Sequence, residues 1–120
     1  MKLIIAGSRN FTDYQKLKTE CDQFLQEHKN IEIVSGGYYK GADKLGIQYA
    51  NEKGFDLIKF SAEWNKFGKA AGPKRNKEMA RYADALIAFW DGKTKGTKSM
   101  INLAKKEALI IKIIFYVNQS

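Results

Sequence analysis

Five short apolar runs alternate with four stretches of helical periodicity along this 120-residue chain, and few folds accommodate such a sequence. The second run, residues 31–34, is rich in β-branched residues, as buried strands are. The five runs span residues 2–6, 31–34, 55–60, 84–90 and 110–117, with a polar tail behind the last. Strands that alternate with helices form a parallel sheet covered on both faces. The sequence therefore predicts one three-layer, Rossmann-like α/β domain over residues 1–120, whose five-stranded, mainly parallel sheet has the order 3-2-1-4-5.

Two helix starts can be assigned from local patterns. Thr12 is the predicted N-cap of the first helix, and Gln15 stands three residues later as its capping-box partner. Pro73 suits the first position of the third helix, because that position needs no N–H donor. The stretch before it, residues 61–72, is the least regular of the chain.

The second apolar run leads directly into a glycine turn. Ser35 ends the run, Gly36 and Gly37 follow, and Gly41 opens a stretch of helical spacing. Glycine permits turns that other residues avoid and lets a ligand approach the backbone. A strand, a glycine turn and a helix start aim free N–H groups at one point, which predicts a phosphate site. The spacing of these three glycines is not that of GxGxxG. Gly36 and Gly41 have the Walker A separation, but residues 42–43 are not Lys followed by Ser or Thr, so the motif is not Walker A either.

Glycine and polar residues recur where the other strands end. In a parallel sheet of this order, ligands bind at the carboxyl ends of the strands, near the point where the order reverses. We therefore expect one ligand site at this edge. Its predicted residues are Gly7, Ser8, Arg9, Ser35, Gly36, Gly37, Gly41, Asp43, Trp64, Gly72, Arg75, Asn76, Asp91, Gly92, Gly96 and Thr97.

Three of these residues have side chains suited to a nucleotide. The Arg75 fork fits a phosphate bidentately, and the Asn76 amide can pair with a base or a sugar. Asp43, in the first turn of a helix, either caps backbone N–H groups or holds a ribose hydroxyl or a base amino group. Four aromatic residues either stack on a purine or pack in the core: Trp64, Tyr38, Tyr39 and Trp90.

The formal net charge of +8 comes from lysine rather than arginine, since the chain has only three arginines. Readers of DNA sequence rely on arginine for bidentate contacts to bases, so the charge indicates general attraction of anions. Seven lysines fall at the predicted ligand edge and favour a phosphate-bearing ligand: Lys40, Lys44, Lys66, Lys69, Lys74, Lys93 and Lys95.

The chain holds one cysteine, Cys21, and one histidine, His28, which leaves no internal disulfide and no plausible zinc site. We expect neither a metal nor a cofactor. No apolar run approaches the roughly 18 residues that span a membrane, and no signal pattern precedes the first strand, so we expect a cytoplasmic protein without a membrane partner. A sheet this small often gains from assembly, and we expect a homodimer or larger.

Four ordered blocks carry a family resemblance that covers nearly the whole chain. They read GSRNFTDY, SGGYYKGAD, AEWNKFGKAAGPKRNKEM and AFWDGKTKGT. Together they resemble the YspA-type family of the SLOG superfamily. That superfamily includes phosphoribohydrolases of the LOG (lysine decarboxylase-like) type, a branch that binds single-stranded DNA, and domains proposed to sense nucleotide-derived signals. The resemblance implies a Rossmann-like pocket for a nucleotide or an ADP-ribose-like molecule, and oligomers are common among the relatives.

One departure from the LOG enzymes bears on catalysis. Their PGGxGTxxE motif supplies phosphate donors and a glutamate, whereas this chain reads DGKTKGTKSM and has Met100 at the acid position. Cleavage of an N-glycoside passes through a cation-like sugar that a carboxylate would stabilise. Another acid would have to act here, and the candidates are Asp43, Asp91, Glu63 and Glu78, with the first two as candidate catalytic residues.

Three functional hypotheses follow from the sequence. The first, which Met100 favours, is a sensor or sequestering protein that binds a nucleotide-derived phosphorylated molecule, of the ADP-ribose, NAD or cyclic-nucleotide kind, without turnover. The second is a phosphoribohydrolase-like enzyme that cleaves such a molecule. The third is a single-stranded nucleic-acid binder, which net charge and exposed aromatic residues suggest.

Overall fold

The computed structural model describes residues 1–117 and has the predicted alternation of strands and helices. The polar tail predicted behind the last strand, residues 118–120, lies outside the described residues. The strands are β1 (Lys2–Gly7), β2 (Glu32–Ser35), β3 (Asp56–Lys59), β4 (Ala85–Trp90) and β5 (Ile110–Phe115). The helices are α1 (Tyr14–Leu25), α2 (Gly41–Lys53), the single turn α3 (Trp64–Phe67), α4 (Ala71–Tyr82) and α5 (Lys95–Lys106), with a 3₁₀ turn at Gly68–Ala70.

The sheet has the order β3-β2-β1-β4-β5, and all of its pairs are parallel. This confirms the predicted order and makes the sheet wholly rather than mainly parallel. The order reverses between β1 and β4, where Ala6 lies opposite Ala88 and Gly7 opposite Phe89. A crevice opens beyond the carboxyl ends of strands at such a reversal, because the chain leaves in opposite directions on its two sides.

Helices cover both faces of the sheet with apolar side chains. On one face, α1 and α2 bury Leu17, Cys21 and Tyr49 against β1 and β4. On the other face, α4 and α5 bury Met79 and Met100 against the alternate residues of the same strands. Successive strand residues point to opposite faces, so a central strand buried on both sides must be apolar throughout. The central strands β1 and β4 satisfy this requirement, which fixes the three layers.

Two predicted helix starts are wrong. Asp13, not Thr12, is the N-cap of α1, and its carboxylate accepts a hydrogen bond from the Lys16 N–H at 3.1 Å. Pro73 is the third residue of α4 rather than the first. It is tolerated there because the first N–H groups of a helix have no partner within the helix. Within residues 1–117, no helix is long and apolar enough to cross a membrane.

Candidate functional site

A cleft of about 190 Å³ lies at the carboxyl edge of the sheet, over the ends of β1 and β2. The loop after β2, the first turns of α2 and α5, and residues 75–79 of α4 form its walls. Its lining residues are Ala6, Gly7, Arg9, Gly36, Gly37, Tyr38, Lys40, Asp43, Ser61, Trp64, Arg75, Asn76, Met79, Thr94, Gly96, Thr97 and Met100.

The glycine turn after β2 is closed by its own side chains. The buried Ser35 hydroxyl accepts a hydrogen bond from the Gly37 N–H at 3.1 Å. At Gly36, an added Cβ would lie 2.5 Å from Arg75 Nη1 and 2.9 Å from Asp43 Oδ2. Glycine at this position therefore lets an arginine and a carboxylate approach the same peptide from two sides.

Arg75 is held against this turn by hydrogen bonds to the protein. Its Nη1 donates to the Gly36 carbonyl at 2.7 Å, and its Nε donates to Asn76 Oδ1 at 2.9 Å. Burial lowers the pKa of Arg75 from its ordinary value, although guanidinium stays charged in proteins. None of the hydrogen bonds found within residues 1–117 uses its Nη2. The fork is thus fixed in place with a donor left for an anion in the cleft.

Asp43 is a carboxylate in a largely basic cleft. Its Oδ2 accepts a hydrogen bond from the Tyr38 N–H at 3.1 Å, so the residue holds the loop after β2 onto α2. Burial raises the pKa of Asp43, while this hydrogen bond and the charges of Arg75 and Arg9 act in the opposite direction. The carboxylate is therefore poorly solvated and has room for a further hydrogen-bond donor.

Aromatic side chains surround the mouth of the cleft. The Arg9 guanidinium lies 4.0 Å from the centre of the Tyr38 ring, which is also 4.7 Å from the Tyr39 ring. Trp64, on α3, is 52% exposed, and its ring packs where a side chain at Gly72 would stand, 3.2 Å from the added Cβ. Gly72 thus does not line the cleft but leaves room for the Trp64 indole to pack against it. The other side of the indole is exposed.

The first turns of two helices face the cleft without side-chain caps. Neither Lys40 before α2 nor Thr94 before α5 caps its helix with a side-chain hydrogen bond. Gly96 and Thr97, in the first turn of α5, line the cleft. In α2 the Ala42 N–H donates to the Ser8 carbonyl at 3.3 Å, so the start of α5 is the better of the two for an anion, and the helix dipole adds to that preference.

Several predicted site residues lie behind the cleft instead of lining it. Ser8 is buried, and its hydroxyl has no hydrogen-bond partner in the part of the chain that the structure describes. Gly41, at φ +69°, packs its Cα against the backbone of Ser8 and Arg9. The predicted residues outside the lining are Ser8, Ser35, Gly41, Gly72, Asp91 and Gly92.

Asp91 folds the turn between β4 and α5. Its carboxylate accepts hydrogen bonds from the N–H groups of Lys93 and Thr94, at 2.9 and 2.8 Å, and from the Thr94 hydroxyl at 2.8 Å. Burial acts to raise the pKa of Asp91, but these hydrogen bonds outweigh it and lower the pKa below its ordinary value. Trp90 supports the same turn by donating from Nε1 to the Thr94 carbonyl at 2.9 Å.

The lining includes residues that sequence reasoning did not assign to the site. Met79 and Met100 are almost fully buried core residues whose edges also reach the cleft, and Ser61 follows β3. The helical spacing of Met100 predicts a core residue and gives no sign of a second role. Ser61 could have been found, because it stands just after a strand at the ligand edge. Among residues 1–117, no cluster of three or more His, Cys, Asp or Glu side chains could hold a metal ion.

The sheet order and the cleft at its reversal point define a Rossmann-like α/β protein of the kind that binds ligands at the carboxyl ends of its strands. The chain belongs to the family described as YAcAr, the YspA, cpYpsA-related SLOG family, whose model matches residues 1–67. Membership of this family indicates a nucleotide-related role.

Two curated relatives come from a phage and a prophage. The Gene 61 protein of Mycobacterium phage D29 is 30% identical over 115 residues, which cover 90% of this chain and 91% of that protein. The uncharacterized SPbeta prophage-derived protein YoqJ of Bacillus subtilis strain 168 is 33% identical over 73 residues, which cover 60% of this chain and 43% of that protein. No solved structure matches the chain significantly.

Proposed function

We propose that this protein binds a nucleotide-derived phosphorylated small molecule of the ADP-ribose, NAD or cyclic-nucleotide kind, and acts as a sensor or a sequestering protein without turnover. The observation that carries the proposal is the fixed Arg75 fork at the glycine turn, opposite the uncapped start of α5. Family membership supports the nucleotide part of the proposal.

The phosphate would lie between Arg75 and the first turn of α5. Arg75 already donates to the Gly36 carbonyl and to Asn76, so it loses little side-chain entropy when an anion arrives. The N–H groups near Gly96 and Thr97 add neutral donors and the positive end of the helix dipole. Arg9 contributes a second guanidinium at the mouth of the cleft.

The sugar and the base would extend toward Asp43 and Trp64. A carboxylate repels phosphate but accepts a hydrogen bond from a ribose hydroxyl or a base amino group, so Asp43 favours the uncharged part of the ligand. The exposed side of the Trp64 indole offers a surface for a purine to stack on. A nucleotide has a phosphate, a sugar and a base in one molecule and would make all of these contacts, whereas free phosphate would make only the contacts with Arg75 and α5.

Binding without cleavage is supported by the acids near the cleft. Met100 stands where the LOG enzymes have their glutamate, and its side chain is buried in the core. Asp91 uses both carboxylate oxygens to fold its own turn. Only Asp43, of the two candidate catalytic residues, lines the cleft.

Native mass spectrometry of the purified protein would test this proposal, followed by release and identification of any bound molecule. If the purified protein contains no bound molecule, a panel of ADP-ribose, NAD, AMP and cyclic nucleotides would be added. We expect the wild-type protein to bind a nucleotide and release it intact, and we expect the Arg75→Ala variant to bind none. The matched control is Arg81→Ala, since Arg81 lies on the same helix, is exposed, and pairs with Glu107 away from the cleft. Absence of binding across the panel would contradict the proposal.

A second candidate function is hydrolysis of the same ligand, which the position of Asp43 in the cleft favours. It requires that free base or ribose phosphate appear when the nucleotide is incubated with the protein. Asp43→Asn would then abolish product formation and leave nucleotide binding in place.

The third candidate, single-stranded nucleic acid, is favoured by the distribution of charge. Residues 61–109 hold 11 of the 21 basic residues but only 5 of the 13 acidic ones, and so carry +6 of the formal +8. This part of the chain includes α4 and α5, which cover one face of the sheet. Binding to that face would weaken steeply with salt, and Arg81→Ala would reduce it as much as Arg75→Ala does.

A further inference from the structure

The two edges of the sheet differ in how well they are protected. The edge strand β3 has four residues, and charged residues stand at both of its ends, Asp56 and Lys59. The other edge strand, β5, has six residues, five of them apolar, with neither proline nor glycine. Natural proteins protect edges by short strands, charges or proline, because an open edge pairs with another strand. By this measure β5 is open.

The backbone N–H and C=O groups of β5 point alternately toward β4 and away from it. The Ile110 N–H donates to the Asp84 carbonyl, and the Tyr116 N–H donates to the Trp90 carbonyl, at 3.2 Å each. Because this direction alternates from one residue to the next, the N–H and C=O groups of the even-numbered residues point toward β4. The N–H and C=O groups of residues 111, 113 and 115 therefore point out of the open edge.

We propose that a second copy of this chain pairs with β5 in antiparallel fashion, about a two-fold axis that passes beside Ile113. In this register Ile113 faces its own copy, and Ile111 faces Phe115 of the other copy. All three outward residues then form hydrogen-bonded pairs. A two-fold axis perpendicular to a sheet must relate residues on the same face, so it can centre only on a residue and never between two.

Of the two residues at the middle of β5, Lys112 and Ile113, charge excludes Lys112 as the centre. A register centred on Lys112 would place two ammonium groups directly opposite each other, and like charges in that position are destabilising. Centring on Ile113 moves each lysine opposite Ile114 of the other copy. Lys112 is also paired with Glu20 of its own chain at 2.9 Å, so its charge does not guard the edge.

Exposed apolar side chains at both ends of β5 complete the surface. Ile110 is 56% exposed and Phe115 is 61% exposed. The Phe115 ring packs against the Trp90 ring, and the two ring centres lie 5.6 Å apart. An unrelated strand would satisfy the backbone as well, but the second copy is favoured because the same outward residues repeat symmetrically around Ile113 and the charges avoid each other.

The dimer would join both sheets into one continuous sheet. Antiparallel pairing places the carboxyl edge of one sheet beside the amino edge of the other, so the two clefts open in opposite directions. Neither copy would then contribute a residue to the other's cleft. Loss of the dimer and loss of ligand binding are therefore separate outcomes.

Sedimentation velocity from about 1 to about 100 µM would test the pairing. We expect the wild-type protein to reach twice the monomer mass and Phe115→Lys to raise the dissociation constant about tenfold or more. The matched control is Ile58→Lys, at a partly exposed apolar position of the other edge strand, which we expect to leave association unchanged. A monomer at every concentration would overturn the proposal, and so would equal effects of the two variants.

Cross-linking would test the register. Paired residues lie about 5.5 Å apart between Cα atoms, so Ile113→Cys would be captured by a short bifunctional thiol reagent. Ile111→Cys would not, because it lies about 13 Å along the strand from its own copy. Burial raises the pKa of the Cys21 thiol to about 12, so the native cysteine does not compete. Capture at position 111, or at neither position in a dimer, would overturn the register.

Discussion

Arg75 and Gly36 show how one small residue positions a large one. Arginine at this place in the sequence predicts a phosphate contact, but the residue type does not say how the fork is held. In the structure it lies on the Gly36 carbonyl, within a space that exists because Gly36 has no side chain. The contact between them links α4 to the end of β2, residues 39 positions apart. Local sequence patterns carry no signal for such a pair.

Gly41 predicts a large loss of stability on substitution. Its φ is +69°, and an added Cβ would lie 2.4 Å from the Ser8 carbonyl oxygen and 2.5 Å from Arg9 Cα. Backbone atoms cannot move aside as a side chain can, so Gly41→Ala should lower the free energy of unfolding by about 2–4 kcal/mol. Urea denaturation would measure it.

Gly96 provides the comparison for Gly41. It also lies in the first turn of a helix, but an added Cβ would meet nothing within 4 Å. Gly96→Ala should leave the free energy of unfolding unchanged or raise it by up to about 1 kcal/mol, because alanine favours the helix. Equal losses in the two variants would contradict this assignment.

Asp43 predicts a pH-dependent stability. Since burial raises its pKa in the folded protein, folding favours the protonated carboxyl. Its contribution is fully present below the ordinary value of about 4 and is lost as the pH rises through the raised pKa. As the pH rises through the raised pKa, the free energy of unfolding of the wild-type protein should therefore fall relative to that of the Asp43→Asn variant. Denaturation of both proteins at a series of pH values would measure this, and parallel curves would contradict it.

At the scale of elements, apolar periodicity was enough to find the strands and the main helices, but their ends depended on side chains that compete. Thr12 and Asp13 are both good N-caps, and only the geometry of the loop after β1 selects Asp13. The irregular stretch before Pro73 contains α3 and a 3₁₀ turn, whose few residues show no helical period. Short turns of this kind cannot be recognised from periodicity.

Helices α1 and α2 are joined by a polar contact that the sequence pattern did not indicate. The buried Tyr49 donates its hydroxyl to Asp22 Oδ1 at 2.6 Å, and Lys53 pairs with the same oxygen at 3.1 Å. Tyr49→Phe should lower the free energy of unfolding by about 1 kcal/mol, since one hydrogen bond is lost without a cavity. Thermal denaturation would measure it, with the exposed Tyr39→Phe as a control that should have no effect.

At the scale of the whole molecule, the sheet order follows from two general rules. Strands that are joined by crossover helices run parallel, and right-handed crossovers leave few orders for five of them. The same rules bring the strand ends to one edge, which is why most of the predicted ligand residues line the cleft or stand directly behind it. They could not separate Arg75, at the surface of the cleft, from Asp91, which folds its own turn. That difference depends on side-chain direction within loops.

Residues 61–109, which include α4 and α5, carry most of the net charge, whereas Arg75 and the start of α5 converge on the cleft. The first arrangement suits a polyanion spread over a face, and the second suits a single small ligand. The family of the chain indicates a nucleotide-related role in either case.

Amide NMR spectra of the protein titrated with ADP-ribose would separate these two arrangements most directly. We predict saturable shifts at the N–H groups of Gly36, Gly37, Gly96 and Thr97, which Arg75→Ala abolishes and Arg81→Ala retains. Shifts confined to the exposed lysines of α4 and α5, or no shifts with any nucleotide of the panel, would contradict the proposal that the cleft binds a phosphorylated nucleotide.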